Sequence, residues 1–261
     1  ITQPPHLGGL GFDFKWNMGW MHDVLGYFST APEKRSHSHG QLTFGAMYQF
    51  SENFVQAFSH DEVVHGKGSL ANKMNLGEER HRLANLRSMI ALQWTWPGKK
   101  TLFMGCEFGQ WKEWDFEASL DWELLEFSQH HGLSTLVADL NNMYLTHPTW
   151  AESDHESDKF EWIDCNDAEG QTLSFVKFGA TVQDTLLVAC NFSSQLCDRD
   201  WGCPHSGEWE VALDSNALQY GGKSLKLGSR FSTFEEPRND QTFGLRFSIE
   251  RWSVLILKLK S

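Results

Sequence analysis

The chain of 261 residues is long enough for one or two domains and for a sizeable core without disulfide or metal staples. Charged residues are 21% and hydrophobic residues 40% of the sequence, which argues against disordered, collagen-like and coiled-coil proteins. With 22 basic against 34 acidic residues the formal net charge is −12, so neither nucleic acid nor an anionic membrane surface is expected as a partner.

Other compositional features bear on compartment and substrate. No apolar run approaches the ~18 residues of a membrane span. The five cysteines are widely spaced and form no Cys-x-x-Cys pair, which predicts neither a zinc site nor a redox dithiol. We therefore expect a reduced, cytoplasmic setting. The sequence has 12 Trp and 19 Phe, whose flat faces suit sugar rings, although most such residues simply fill a core.

The first 150 residues alternate between strand and helix patterns. Strands are predicted over 12–16, 54–58 and 101–104. Helices are predicted over 17–28, 78–96 and 133–145, and residues 29–42 are predicted to be a loop. This order is that of parallel βα units, in which polar site residues gather where the strands end.

The pattern changes after about residue 151. Short alternating strands are predicted over 173–178, 185–192, 208–213 and 252–259, with glycine-containing turns between them. Residues 151–158 form a polar segment between the two patterns. The sequence thus predicts an α/β part over 1–150 followed by an all-β sandwich over 151–261.

The sharpest local feature is His60-Asp61-Glu62, directly after the predicted strand 54–58. A carboxylate and an imidazole at a strand end can hold substrate hydroxyls or stabilise a developing positive charge. Alternatively, Asp61 caps the loop beside a structural His60. Glu107, in the loop after the third strand, is a second candidate for a substrate carboxylate, and a structural role at the strand end is its alternative.

Histidine spacing gives little support to a metal site. His60 and His65 are five residues apart, whereas the zinc-binding His-Glu-x-x-His helix places its histidines four apart on one face. His37 and His39 lie in a Ser/Gly-rich stretch, where we expect solvated side chains. The sequence therefore implies no metal and no cofactor.

Several strings, taken together and in order, resemble bacterial 1,4-α-glucan (glycogen) branching enzymes. They are residues 8–23 (GGLGFDFKWNMGWMHD), 59–67 (SHDEVVHGK), 97–100 (PGKK), 103–105 (FMG), 107–110 (EFGQ), 119–122 (SLDW), 160–163 (FEWI), 190–192 (CNF) and 220–222 (YGG). The match extends over nearly the whole chain.

This resemblance implies a member of the α-amylase superfamily (glycoside hydrolase family 13). Residues 1–150 would be the C-terminal part of a (β/α)8 TIM barrel, strands six to eight, and residues 151–261 a C-terminal antiparallel β-sandwich. Asp61 falls on the family's third carboxylate, which stabilises the oxocarbenium-like transition state, and His60 on its substrate-binding neighbour. The implied activity is that of a glycosyltransferase, which cleaves an α-1,4-glucan such as glycogen or amylose and transfers the segment to a 6-hydroxyl to form an α-1,6 branch.

Two motifs of the family are missing. The chemistry needs a nucleophile and an acid/base about 5–5.5 Å apart. In the family these are an Asp in an Arg-x-Asp string and a Glu in an Ala-Glu-Glu-Ser string, and neither string occurs here. We therefore expect the chain to be a fragment that is inactive without the N-terminal part of the barrel. Cys106 is a smaller departure, since the family usually has Asn there.

Two other functions remain open. A hydrolytic or debranching relative on the same fold would share the His60-Asp61 pair, although the strings 16–23 and 62–67 favour a branching enzyme. A non-catalytic glucan-binding protein would account for the tryptophan content and for the missing carboxylates.

Overall fold

The computed structural model describes residues 1–152 and 154–260, so Ser153 of the predicted polar segment lies outside the described residues. The α-helices in those ranges are α1 (Met18–Ser29), α2 (Gly40–Thr43), α3 (Leu70–Lys73), α4 (Glu79–Thr95), α5 (Ser128–Thr146) and α6 (Pro148–Glu152). The strands there are β1 (Lys15–Trp16), β2 (Phe54–Phe58), β3 (Lys99–Leu102), β4 (Phe160–Asp164), β5 (Thr172–Lys177), β6 (Leu186–Asn191), β7 (Cys197–Cys203), β8 (Glu208–Asp214), β9 (Arg230–Ser232), β10 (Phe243–Ile249) and β11 (Ser253–Leu259). None of these helices combines the length and the apolarity that crossing a membrane would require.

Strands β1, β2 and β3 form a parallel sheet in that order. The connections between them run through α1 and α4, which is the βαβ arrangement that the sequence pattern predicts. The central strand β2 is buried at all five positions, because neighbouring strands and helices cover it. The ends of β2 and β3 lie side by side, since the Phe103 N–H donates to the Phe58 carbonyl at 2.9 Å.

Two of the three strands differ from their predicted bounds. β1 is confined to the last two residues of the predicted strand 12–16, and Phe12 and Phe14 remain exposed in irregular chain. β3 begins two residues before the predicted 101–104, directly after the Pro97-Gly98 turn. Gly98 has a φ of +99°, which a residue with a side chain rarely adopts. Glycine at this position therefore allows a tight turn, and β3 begins directly after it.

The observed bounds of a helix differ from the predicted ones where tertiary packing, and not the hydrophobic periodicity of the sequence, determines where the helix begins. α5 begins five residues before the predicted 133–145, because His130 in its first turn is buried with its Nδ1 2.7 Å from the Phe108 carbonyl. The predicted loop 29–42 contains a 3-10 helix, Pro32–Ser38, and the start of α2. α1 and α4 match their predicted ranges within one residue at each end.

The C-terminal strands form antiparallel sheets, which confirms the prediction of an all-β part. A six-stranded sheet has the order β4-β5-β6-β11-β8-β9, and β10 pairs with β7 in a second, two-stranded sheet. The prediction found β5, β6, β8 and β11 and missed β4, β7, β9 and β10. The sequence of β7, CDRDWGC, lacks a clean alternation, and only its seven-residue pairing with β10 identifies it as a strand.

Both faces of the central strands of the six-stranded sheet are buried. Val176 and Leu257 face a core shared with the two-stranded sheet, which includes Trp201 and Phe247. The opposite face carries Phe175 into a second core that also contains side chains of α1, α4 and α5. One continuous core therefore crosses the predicted boundary near residue 150.

Two buried arginines of the α/β part form hydrogen bonds across the same boundary. Arg35 Nη1 donates to the Phe192 carbonyl at 2.8 Å, and Arg87 Nε donates to the Ser215 carbonyl at 3.1 Å. Burial lowers the pKa of each guanidinium to about 10. Because their partners are polar groups of the β-sheet part, the two arginines fasten that part to the helices.

Candidate active-site cleft

His60 and Asp61 lie just beyond β2, in a 3-10 turn over His60–Glu62. Ser59 begins this turn, and its Oγ accepts a hydrogen bond from the Asp61 N–H at 3.2 Å. Glu62 Oε2 accepts hydrogen bonds from the Ser59 N–H at 2.5 Å and from Ser59 Oγ at 3.0 Å. This capping box fixes the backbone of the turn at the end of the buried strand.

The turn separates a buried carboxylate from an exposed one. Glu62 is 6% exposed and is engaged in capping, whereas the side chains of His60 and Asp61 are each 53% exposed. His60 Nε2 lies 3.3 Å from Asp61 Oδ1, which is an ion pair whenever the imidazole is protonated. Lys67 Nζ donates to the backbone carbonyl of Asp61 at 2.7 Å, so this cation braces the turn through its backbone.

His60 lines a cleft of about 800 Å³ with aromatic walls. The His60 ring centroid is 6.0 Å from that of Phe103, and Phe103 meets Trp114 edge-on at 5.3 Å. Trp111 and Phe116 also line the cleft. Aromatic faces beside an imidazole and a carboxylate are suited to sugar rings and their hydroxyls.

Glu113 holds one wall of this cleft in place. Its carboxylate accepts hydrogen bonds from the backbone N–H groups of Gly66 at 2.8 Å and Gly68 at 2.6 Å. These hydrogen bonds lower the pKa of the Glu113 carboxyl. His65, Gly66 and Gly68 all have positive φ, which curls the segment around the carboxylate.

Glu107 stands apart from the cleft. It lies in a 3-10 turn after β3 and lines a different cavity, of about 530 Å³, together with Met104 and Tyr144. The structure thus brings His60 and Asp61 together and places Glu107 at a separate surface beside β3.

The remaining histidine and cysteine predictions concern metal binding. His37 is exposed as expected, but the expectation of a solvated His39 is wrong, because His39 is 6% exposed with Nε2 2.9 Å from the Cys165 carbonyl. That partner is 126 residues away in sequence, so no local pattern indicates the contact. Within residues 1–152 and 154–260, no three His, Cys, Asp or Glu side chains converge as a metal site would require. All five cysteines are free thiols.

Sequence reasoning missed the aromatic wall and its anchor. Trp111, Glu113, Trp114 and Phe116 all fall in the run WKEWDF at 111–116. Three aromatic residues spaced among charged ones are the signal in the sequence that could have pointed to a binding surface.

Comparisons with known proteins add to this geometry. Residues 162–260 match the family model of the alpha amylase C-terminal all-beta domain. The chain is 44% identical over 260 residues to the 1,4-alpha-glucan branching enzyme of Aquifex aeolicus, and 48% identical over 226 residues to that of Cereibacter sphaeroides. These matches cover 99% and 86% of the chain, but only 41% and 31% of the two relatives.

Solved structures give the same fold at low sequence identity. An alpha-amylase from H. orenii superimposes with a TM-score of 0.58 at 14% identity, covering 98% of this chain and 50% of that one. AmyP, solved in complex with maltose, superimposes with a TM-score of 0.70 at 12% identity, covering 96% of this chain and 50% of that one. At these identities the likeness establishes a shared fold only.

The resemblance seen in the sequence is therefore confirmed. Identity of 41% to 48% extends over most or all of the chain in eight branching enzymes, of which the chain spans between 30% and 41%. The chain is a homologue of the C-terminal portion of bacterial 1,4-alpha-glucan branching enzymes.

Proposed function

We propose that this chain supplies one part of the active site of a 1,4-α-glucan branching enzyme, with Asp61 as its transition-state-stabilising carboxylate and His60 as a substrate ligand. The observation that carries the proposal is the pair itself. Both side chains project from a capped turn at the carboxyl end of the central parallel strand, beside an aromatic cleft. The similarity to branching enzymes over nearly the whole chain supports the same assignment.

The chemistry of these groups suits the proposed role. In a retaining mechanism the sugar ring carries positive charge in the transition state, while a nucleophile and an acid/base act on opposite sides of the scissile bond. A fixed, half-exposed carboxylate such as Asp61 can stabilise that charge and accept hydrogen bonds from ring hydroxyls. His60 can donate to a hydroxyl, and Trp114 and Phe116 offer apolar surface to the sugar face.

The parallel sheet fits the proposal that residues 1–150 belong to a larger barrel. β1 and β3 are its outer strands in the described part of the chain. Next to these strands, four large apolar side chains are between 45% and 60% exposed: Phe12, Phe14 and Trp16 at β1, and Met104 after β3. We propose that the missing part of the barrel covers these side chains and supplies the nucleophile and the acid/base.

The experiment compares the purified 261-residue chain with a chimera in which it replaces the matching segment of the Aquifex aeolicus relative. New α-1,6 branches are counted by debranching and chain-length analysis, and reducing ends are counted in parallel. We expect branching by the chimera and none by the chain alone. Asp61→Asn should lower the chimera's kcat on the order of 10²-fold or more, by analogy with the loss of other transition-state electrostatic contacts.

Asp158→Asn is the matched control, since Asp158 is an exposed carboxylate in a short turn of the β part. Branching by the chain alone would refute the proposed fragment role. Equal activity of the Asp61→Asn and Asp158→Asn chimeras would refute the role of Asp61. Reducing ends without new branches would indicate a hydrolase, and glycogen binding that persists without any turnover would indicate a glucan-binding module.

A further inference from the structure

A second pocket, of about 400 Å³, opens where α4 meets the β part. Arg80, His81 and Arg87 of α4 line one side, and Lys223, Arg251 and Trp252 line the other. It shares no lining residue with the cleft of His60. Its position at the boundary between the helices and the β-sheets is one where small-molecule sites are often found.

The charge of this pocket opposes that of the protein. Four arginine and lysine side chains line it against one carboxylate, Glu250, whereas the whole chain carries −12. Arg80 is paired at the rim with Glu78, with Nε 2.6 Å from Oε2. Among the described residues, Arg87, Lys223 and Arg251 have no carboxylate within ion-pairing distance. The pocket therefore presents unneutralised positive charge.

Arg87 forms the floor of the pocket and is only 2% exposed. Its guanidinium is held by neutral acceptors: Nε by the Ser215 carbonyl at 3.1 Å, Nη1 by Gln129 Oε1 at 3.2 Å, and Nη2 by Asn216 Oδ1 at 3.4 Å. The carboxylate of Asp214 acts on this guanidinium through space but forms no ion pair with it. Taking the arginine out of water is therefore still unfavourable, and an anion in the pocket would reduce that cost.

The opposite wall offers hydrogen-bond donors. Arg251 Nη2 is 3.2 Å from His81 Nε2. A guanidinium can only donate, so His81 Nε2 accepts this hydrogen bond and the imidazole carries its proton on Nδ1. Arg251 and His81 both pack on Trp252, at 4.9 Å and 4.8 Å from its ring. Trp252 is 4% exposed, has a positive φ of 48°, and its indole N–H has no acceptor among the described residues. The packing of His81 and Trp252 holds the guanidinium of Arg251 in place at the pocket wall.

We propose that this pocket binds a small phosphate-bearing molecule, a phosphate monoester of the size of a hexose phosphate or a mononucleotide. Arginine forks and a lysine are the groups that bind phosphate oxygens. A volume of about 400 Å³ accommodates such a molecule, and the overall negative charge of the chain disfavours a polyanion such as nucleic acid. Because the walls come from α4 and from the β part, the bound ligand would bridge the two.

Isothermal titration calorimetry of the 261-residue chain, at constant ionic strength, tests the proposal. The probes are inorganic phosphate, glucose 1-phosphate and AMP, with maltose as the uncharged control. We expect saturable binding of at least one phosphate probe, no binding of maltose at this pocket, and a melting temperature that rises with the concentration of the bound probe. A monoester that binds more tightly than inorganic phosphate supports an organic ligand, and equal affinities support free phosphate as the ligand.

Arg251→Gln and Lys223→Gln are the test variants, and Arg246→Gln is the control. Lys223 is exposed, so its substitution leaves the fold intact, and Arg246 is a 70% exposed arginine of β10 outside the pocket. Each test variant should weaken phosphate binding at least tenfold, while the control variant retains it. Binding that is unchanged in both test variants, equally weakened in the control, or absent at millimolar probe would overturn the proposal.

Discussion

Replacing Gly132 of α5 with alanine should destabilise the protein, although alanine is the better helix former. A Cβ added at Gly132 would lie 2.2 Å from the carbonyl carbon of Tyr220 and 2.5 Å from the backbone nitrogen of Gly221. Both atoms belong to the backbone of the β part, which cannot give way as a side chain can. The helix and the turn over 218–222 must therefore separate by more than 1 Å.

The magnitude follows from two opposing effects. Alanine gains about 1 kcal/mol over glycine inside a helix. Overpacking of a well-filled contact costs about 1–3 kcal/mol, and more when backbone must move. Separation also strains the hydrogen bond from Tyr220 Oη to Asp139 Oδ2, now 2.7 Å long. We expect a net loss of about 2 kcal/mol, which in a chain of this size lowers the melting temperature by on the order of 4–8 °C.

Gly26→Ala is the matched control. Gly26 is also inside a helix, α1, but its added Cβ would meet only the end of the flexible Gln41 side chain, at 3.3 Å. This substitution should be neutral or stabilising by up to about 1 kcal/mol. Both variants are compared with the wild type by urea unfolding followed by tryptophan fluorescence. A Gly132→Ala variant as stable as Gly26→Ala would refute the close approach of α5 to the β part.

Four further predictions concern a buried ion pair, its pH dependence, loop order and self-association. Asp154 is buried 3.7 Å from Lys177 Nζ, so Asp154→Asn leaves a buried lysine unpaired and should cost about 3–5 kcal/mol in chemical denaturation. Lys177→Met should cost little or nothing, because Lys99 and Lys100 still neutralise Asp154. Burial lowers the pKa of Lys177 to about 8 in the folded protein, whereas the unfolded chain keeps this proton to higher pH. The free energy of unfolding of the wild type, measured relative to Lys177→Met, should therefore rise between about pH 8 and pH 10. A difference that does not change with pH would contradict this. Glu113→Gln replaces one acceptor oxygen with an NH2 group, which cannot accept a hydrogen bond. The backbone N–H groups of residues 66 and 68 should therefore exchange hydrogen faster in this variant than in the control variant Glu117→Gln. Equal protection in the two variants would refute the anchoring role of Glu113. Open strand edges and exposed apolar side chains should make the isolated chain associate as its concentration rises, and a monodisperse monomer in light scattering would contradict this.

The sequence predicted the elements whose signal is local. The strand 54–58 is apolar at four of its five positions, and its observed bounds are those predicted. Helices α1 and α4 also match, since Asn17 caps the start of α1 and the Pro97-Gly98 turn follows the end of α4. The placement of His60 and Asp61 at a strand end follows from the same pattern.

Contacts between distant residues decided the rest. β7 is a strand because it pairs with β10 across 40 to 52 residues, and its own sequence shows no clean alternation. β10 does alternate, with Phe243, Leu245, Phe247 and Ile249 apolar, and the prediction overlooked this pattern. Glu113 belongs to the cleft because its carboxylate reaches two backbone N–H groups more than forty residues earlier. Such partners cannot be inferred from spacing along the chain.

By itself the sequence determined the resemblance to branching enzymes, the α/β and all-β parts, and the turn that carries Asp61. Only the tertiary structure showed that one core joins the two parts, that Glu107 lies away from His60, and that Arg87, Lys223 and Arg251 gather in one pocket. The physical reason is the range of the interactions. Propensity, capping and periodicity act over a few residues, whereas packing and electrostatics act between whatever surfaces the fold brings together.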